Sequence, residues 1–310
     1  MDIYLSGDIV KKVLLVLITL IPLNINAITD NATSAILMDT DNNRILYENN
    51  IHNVRSVASI SKIMTAIVAI ESKKLDNIVT IGDEINSAYG SGVYIEKGEK
   101  IKLRDLLYGL MLRSGNDAAL AIANYVGGSV ENFVKMMNDK AIELKLRNTT
   151  FNNPSGLDQE KGNYSTAYDM AIITSYAMSL DEYKKITSTK SYTLKTNKKT
   201  YKWKNKNKLL KTYKYTTGGK TGFTEIAKRT LVTTASKDNV NLVVVTLNDG
   251  SDWKDHKDLF EYGFQHYRNY LILDKKNFSL YEKKYSTLFF TKCFSSWSHS
   301  HNKSLYRKYC

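Results

Sequence analysis

The chain has 310 residues, 43% hydrophobic and 24% charged, with a formal net charge of +13. That is the make-up of one large globular domain or about two smaller ones, and it excludes wholesale disorder, collagen and a polytopic membrane protein. The only cysteines, Cys293 and Cys310, lie in the last 18 residues, which excludes a disulfide scaffold, a four-cysteine zinc site and thiol catalysis in the body of the chain.

In chain order, Lys11 and Lys12 precede an apolar run from Val13 to Leu23, and the segment closes on a small residue, Ala27. This is the layout of a secretory signal over residues 1–27. The run is shorter than the roughly 20 residues that span a bilayer. A buried strand or an uncleaved anchor is the competing reading. Export points any anionic partner away from intracellular nucleic acid and toward wall polymers or lipid headgroups.

Two strands, Ala35 to Asp39 and Arg44 to Tyr47, flank a turn at 40–43. Ile60, Ile63, Met64, Ile67, Val68 and Ile70 recur at three- and four-residue spacing, which predicts a helix from Ala58 to about Lys73. Further helices are expected from Arg104 to Leu112, Asp117 to Tyr125 and Val130 to Leu146. Asn152 to Gly156 is a turn cluster. Ser165 or Thr166 caps a helix running to about Ser179. Alternating residues predict strands from Ser191 to Thr196 and from Thr200 to Lys204. Thr230 to Ala235 and Asn241 to Leu247 are the strongest strand signals, and Asp252 to about Tyr267 reads as a closing helix. From Ser286 onward no period holds. His299, His301 and the cysteines match no standard metal site, so no metal is expected. The order of elements predicts an α+β fold, a helical block inserted between strands of one mostly antiparallel sheet.

Charge is concentrated. Between Lys184 and Arg229 there are 15 Lys and Arg against one acid, Glu225, and the rest of the chain is close to neutral. Such a band implies an anionic partner or a merely solvated lysine surface.

Three short elements carry chemistry. Ser59-Ile-Ser-Lys62 opens the first strong helix, and positions i and i+3 share a helix face, so Lys62 reaches the Ser59 hydroxyl. A serine becomes a nucleophile when a base takes its proton, and a lysine serves only if its pKa is lowered. The helix start adds a positive field where an oxyanion develops. The same spacing recurs at Ser251 and Ser300, so this element alone reads as a capping serine with a surface lysine. Ser114-Gly-Asn116 lies between two predicted helices. Lys220-Thr-Gly222 lies just before the strand predicted from Thr230. The ordered set S-x-x-K, S-x-N, K-T-G is the serine–lysine signature of penicillin-binding proteins and class A β-lactamases.

On these residues, with Asn153-Pro-Ser-Gly-Leu157 and the segment from Gly90 to Gly98, the chain from about Thr33 to Leu273 resembles the D-alanyl-D-alanine carboxypeptidases among the low-molecular-mass penicillin-binding proteins. Asp249 to His256 is similar to sporulation-associated members. The resemblance implies a β-lactamase/transpeptidase-like fold, with 28–273 as the peptidase domain and 274–310 as an irregular tail. It implies that Ser59 is acylated, that Lys62 is its base and that Ser114 relays a proton. Asn116, Lys220, Thr221, Gly222 and Phe223 would bind substrate, with Lys220 helping to keep Lys62 neutral. The backbone N–H groups of Ser59 and Phe223 would form the oxyanion hole. It implies no cofactor, peptidoglycan stem peptides as substrates and β-lactams as inhibitors, with the 184–229 band meeting an anionic wall or membrane surface. The chain departs from the family pattern at the basic pair Lys228-Arg229. The arginine that many members place after the later strand to hold the substrate carboxylate has no clear match, which leaves Lys254, His256 or Arg229 for that role. A β-rich second domain and an amphipathic anchor are not evident.

Overall fold

The computed structural model describes residues 28–158 and 162–269. The signal-like segment 1–27, the tail from 274 with both cysteines, and the expected domain end at 273 lie outside the described residues.

Two strands open the fold, β1 (Ala32–Asp39) and β2 (Arg44–Asn49). A helical block follows. A 3-10 turn, Ala58–Ser61, runs into α1 (Lys62–Glu71); α2 (Leu103–Tyr108) continues as a π-helical turn, Gly109–Arg113. Then come α3 (Asn116–Gly127), α4 (Val130–Glu143), α5 (Ala167–Ala177) and α6 (Asp181–Ser188). A hairpin, β3 (Ser191–Lys195) and β4 (Thr200–Lys204), leads through the short α7 (Leu209–Thr212) to three long strands. These are β5 (Thr216–Thr224), β6 (Lys228–Lys237) and β7 (Val240–Asp249), and α8 (Asp252–His266) closes the described fold.

The five-stranded sheet is antiparallel in the order β2-β1-β7-β6-β5. The first strand therefore pairs with the last, Ala32 against Asp249 and Met38 against Val243. Successive side chains of a strand point to opposite faces, and here both faces are covered. Ile36 and Met38 join Val243, Val245 and the helical block around Ile63, Met64 and Ile67, whereas Leu37 joins Leu242, Val244 and α8 through Leu259, Phe260 and Phe264. Register is pinned, because a one-residue slip would exchange the two cores.

The expected mixed fold is present. Of the two capping candidates, Thr166 takes the role, accepting the Asp169 N–H at 3.0 Å. The Lys220-Thr-Gly222 element precedes the strand around Thr230 as expected, now β6, but is itself part of an unexpected strand, β5. Gly218, Gly219 and Gly222 hide that strand from propensity, since glycine is depleted in strands. Among the described residues no helix is long and apolar enough to cross a membrane.

Candidate active site

Ser59 sits half-buried in the 3-10 turn that starts α1, directly after Ala58, whose φ of 50° is left-handed. Such a conformation is costly for a non-glycine residue and persists only when its surroundings fix it. Two contacts do so here. The Ser61 hydroxyl donates to the Ala58 carbonyl at 2.9 Å, and Gly156, at φ 75°, packs so closely that a Cβ there would collide with the same carbonyl.

One turn later Lys62 is wholly buried. Its Nζ donates to Ser59 Oγ at 2.9 Å and to Asn116 Oδ1 at 2.7 Å, and also to the Ser155 carbonyl. The helical spacing of the sequence thus becomes a direct lysine–hydroxyl contact.

The second wall comes from the break between α2 and α3. Ser114 ends the π-helical turn at φ 64° and ψ 36°, and Asn116 begins α3. Asn116 donates from its backbone to the Ser91 carbonyl at 2.7 Å and from Nδ2 to the Tyr89 carbonyl at 2.6 Å. The buried carboxylate of Asp117 accepts the N–H groups of Val93, Tyr94 and Ile95 at 3.0, 2.6 and 3.2 Å. The loop over the site is therefore fastened to the start of α3.

The third wall is β5. Lys220 Nζ, also buried, donates to Ser114 Oγ at 2.9 Å and to the Thr221 carbonyl at 2.6 Å. Gly222 passes so near the nucleophile's turn that a Cβ there would stand 3.0 Å from Ser59 N and would collide with the Thr230 hydroxyl. Ser59, Ser114, Thr221, Gly222 and Phe223 line one cleft of about 460 Å³, joined by Ser91, Lys206, Arg229 and Trp253. All eight residues singled out in the sequence meet around this cleft, Lys62, Asn116 and Lys220 just behind its wall.

The electrostatics favour a neutral amine. Burial, reinforced by the positive charge of Lys206, brings Lys62 down to about 7, against a smaller opposing pull from Asp117. Lys220 is held well below the usual lysine range by burial and then by the charges of Lys62 and Lys206. Lys62 and Lys220 each disfavour a proton on the other, as the resemblance implied, and Lys206 adds a third positive charge that acts on both. A near-neutral lysine bonded to a serine hydroxyl can remove that hydroxyl's proton near neutral pH.

Of the three candidates for a carboxylate-binding cation, only Arg229 lines the cleft. It is ion-paired with the buried Asp252 and lies 6.0 Å from the Trp253 ring. His256 is buried between the Thr233 and Thr246 hydroxyls, and burial pushes it down to about 3. Lys254 pairs with Asp258 at 2.6 Å on the exposed side of α8.

Three contributors escaped the sequence reading. Lys206, whose Nζ reaches Ser91 Oγ at 3.1 Å, was hidden as one of fifteen similar charges. The Ser155 carbonyl is backbone, which no residue type announces, although it lies inside the Asn153-to-Leu157 turn. Asp117 stood beside the motif as an ordinary helix-start acid.

The fold and this convergence of two serines and two buried lysines define the active-site-serine class to which penicillin-binding proteins belong. Two solved structures have the same fold. A Streptomyces DD-transpeptidase is 34% identical with a TM-score of 0.72, covering 76% of this chain and 98% of that one. A D-alanyl-D-alanine carboxypeptidase from Mycobacterium tuberculosis is 29% identical with a TM-score of 0.74, covering 78% and 94%. The D-alanyl-D-alanine carboxypeptidase family model matches residues 24–251, and the chain belongs to that family. The carboxypeptidase DacF of Bacillus subtilis is 39% identical over 220 residues, 69% of this chain and 56% of the relative. DacC of Escherichia coli is 35% identical over 251 residues, 76% and 62%. The match thus spans less than two thirds of the length of both relatives.

Proposed function

We propose that this protein is a serine-type D,D-carboxypeptidase that removes the terminal D-Ala from peptidoglycan stem peptides and is inhibited by penicillins. The observation that carries the reading is the 2.9 Å contact between the buried, low-pKa Lys62 and Ser59 Oγ. Ser59 Oγ attacks the carbonyl of the penultimate D-Ala while Lys62 accepts its proton. The backbone N–H groups of Ser59 and Phe223 stabilise the oxyanion. Ser114, held by Lys220, relays that proton from Lys62 to the departing amine, so D-Ala leaves and Lys62 is neutral again. Water, losing its proton to Lys62, then cleaves the ester, and Lys62 returns that proton to Ser59 Oγ. Asn116 and the edge of β5 at Thr221 and Gly222 hold the peptide backbone.

Arg229 is the group we assign to the substrate's terminal carboxylate. A planar guanidinium at the cleft suits bidentate carboxylate recognition. Arg229→Lys, which keeps a cation against Asp252, is expected to raise KM for a D-Ala-D-Ala peptide about tenfold, with kcat little changed. An equal loss in kcat and kcat/KM would remove the assignment.

Residues 1–27 act as an export signal in this reading and 28–273 as the peptidase domain, which places the reaction outside the cytoplasm. The 184–229 band meets an anionic surface there. The decisive measurement is a pair of time courses on one preparation. D-Ala release is expected to turn over while the penicillin adduct persists. The opened penicillin stays tethered and blocks water, whereas D-Ala diffuses away. Fast penicillin hydrolysis without D-Ala release would make the protein a β-lactamase instead.

A further inference from the structure

The fifteen basic residues between Lys184 and Arg229 are not equivalent once placed. Lys220 is buried in the site and Lys206 lines the cleft. Lys184, Lys228 and Arg229 pair with Asp181, Glu225 and Asp252, and Lys198 and Lys199 both pair with Glu96. The hairpin of β3 and β4 is different. Leu194, Tyr201 and Trp203 are buried on its inner face, where Tyr192 stacks on Tyr108 at 3.8 Å. The outer face presents Ser191, Thr193, Lys195, Thr200, Lys202 and Lys204, every one exposed. Among the described residues, none of these three lysines makes an ion pair, and no acid lies on the face.

The register adds order to this face. Ser191 stands opposite Lys204, Thr193 opposite Lys202 and Thr200 opposite Lys195. Each lysine therefore faces a hydroxyl and never another lysine, and like charges are not directly opposed. Lys202 and Lys204 repeat along the strand at roughly 7 Å. The result is one face of cations and hydroxyls with no acid on it to repel an anion. It carries no outward aliphatic or aromatic side chain to enter a lipid layer, which peripheral membrane binding uses alongside charge. It also leads directly, two residues past Lys204, to Lys206 at the cleft.

We propose that the outward face of this hairpin is a docking surface for a phosphodiester polymer of the cell wall, lying along Lys195, Lys202 and Lys204 and ending at the catalytic cleft. The proposal rests on the extracytoplasmic carboxypeptidase reading for its biological setting. Ammonium groups and hydroxyls both donate to phosphate oxygens, and a repeating polyanion engages several at once.

The test compares wild type with the triple variant Lys195→Gln, Lys202→Gln, Lys204→Gln. Binding is measured to a labelled synthetic poly(glycerol phosphate) oligomer between about 50 and 200 mM salt. Vesicles containing phosphatidylglycerol form a parallel arm. The triple variant is expected to bind the oligomer at least tenfold more weakly. Its slope of log affinity against log salt should be shallower by roughly 2, at about 0.7 per lost phosphate contact. Penicillin acylation should be unchanged, which shows an intact fold and cleft. Equal oligomer binding by the two proteins would overturn the proposal. So would vesicle binding that depends on these lysines without oligomer binding. D-Ala release, assayed separately on a short soluble peptide, tests the carboxypeptidase reading alone, so the two ideas fail independently.

Discussion

Ser59→Ala is expected to form no covalent adduct with penicillin and to lose D-Ala release by about 10⁴-fold or more, as when other serine acyl-enzymes lose their nucleophile. The competing serines are not equivalent. Ser251 shares the i, i+3 spacing to Lys254, but that lysine is engaged with Asp258 at 2.6 Å on an exposed helix face. Ser300 lies outside the described residues. Intact-mass measurement after penicillin exposure, followed by peptide mapping, reads the outcome. A labelled peptide containing Ser251 or Ser300, with Ser59 unmodified, would sink the assignment.

The second large effect is expected at the base. Lys62→Met should lower kcat by on the order of 10³-fold, within the usual range for losing a positioned general base. The sign of the pH dependence follows from the lowered pKa. Below about 7 Lys62 carries a proton and cannot take another, so wild-type acylation should fall roughly tenfold per pH unit on the acid side and level off above. Because the charge of Lys206 helps to hold Lys62 down, Lys206→Met should move that acid limb to higher pH. An acid limb that stays in place would mean that the charge of Lys206 does not set the proton affinity of Lys62.

The sequence carried the site further than it carried the sheet. The contact between Ser59 and Lys62 was legible because a helix brings i and i+3 together, although the ordered set was needed to tell this pair from Ser251 and Ser300. Ser114 and Lys220 were legible only as members of an ordered set; the 2.9 Å bond between them joins residues 106 positions apart. Strands β6 and β7 announced themselves through β-branched runs. The edge strand β5 did not, because close approach to the nucleophile's turn at Gly222, to Thr187 at Gly218 and to the β6 backbone at Gly219 demands glycine where propensity asks for valine. The helix expected from Arg104 to Leu112 changes winding at Gly109, which sets up the left-handed Ser114 beyond it. No periodicity rule foresees a π-helical turn. Arg229 was one of three open choices, and only burial and cleft placement separated them.

The pairing of β1 with β7 has a consequence for the order of events during synthesis. Ribosomes deliver the N-terminus first, yet Ala32 to Asp39 cannot close their ladder until Leu242 to Asp249 emerge. Loop closure over some two hundred residues is slow, and until it happens β1 has an unsatisfied edge. The nascent chain therefore stays incomplete until nearly its whole described length exists, a state that a premature stop within β7 would make permanent.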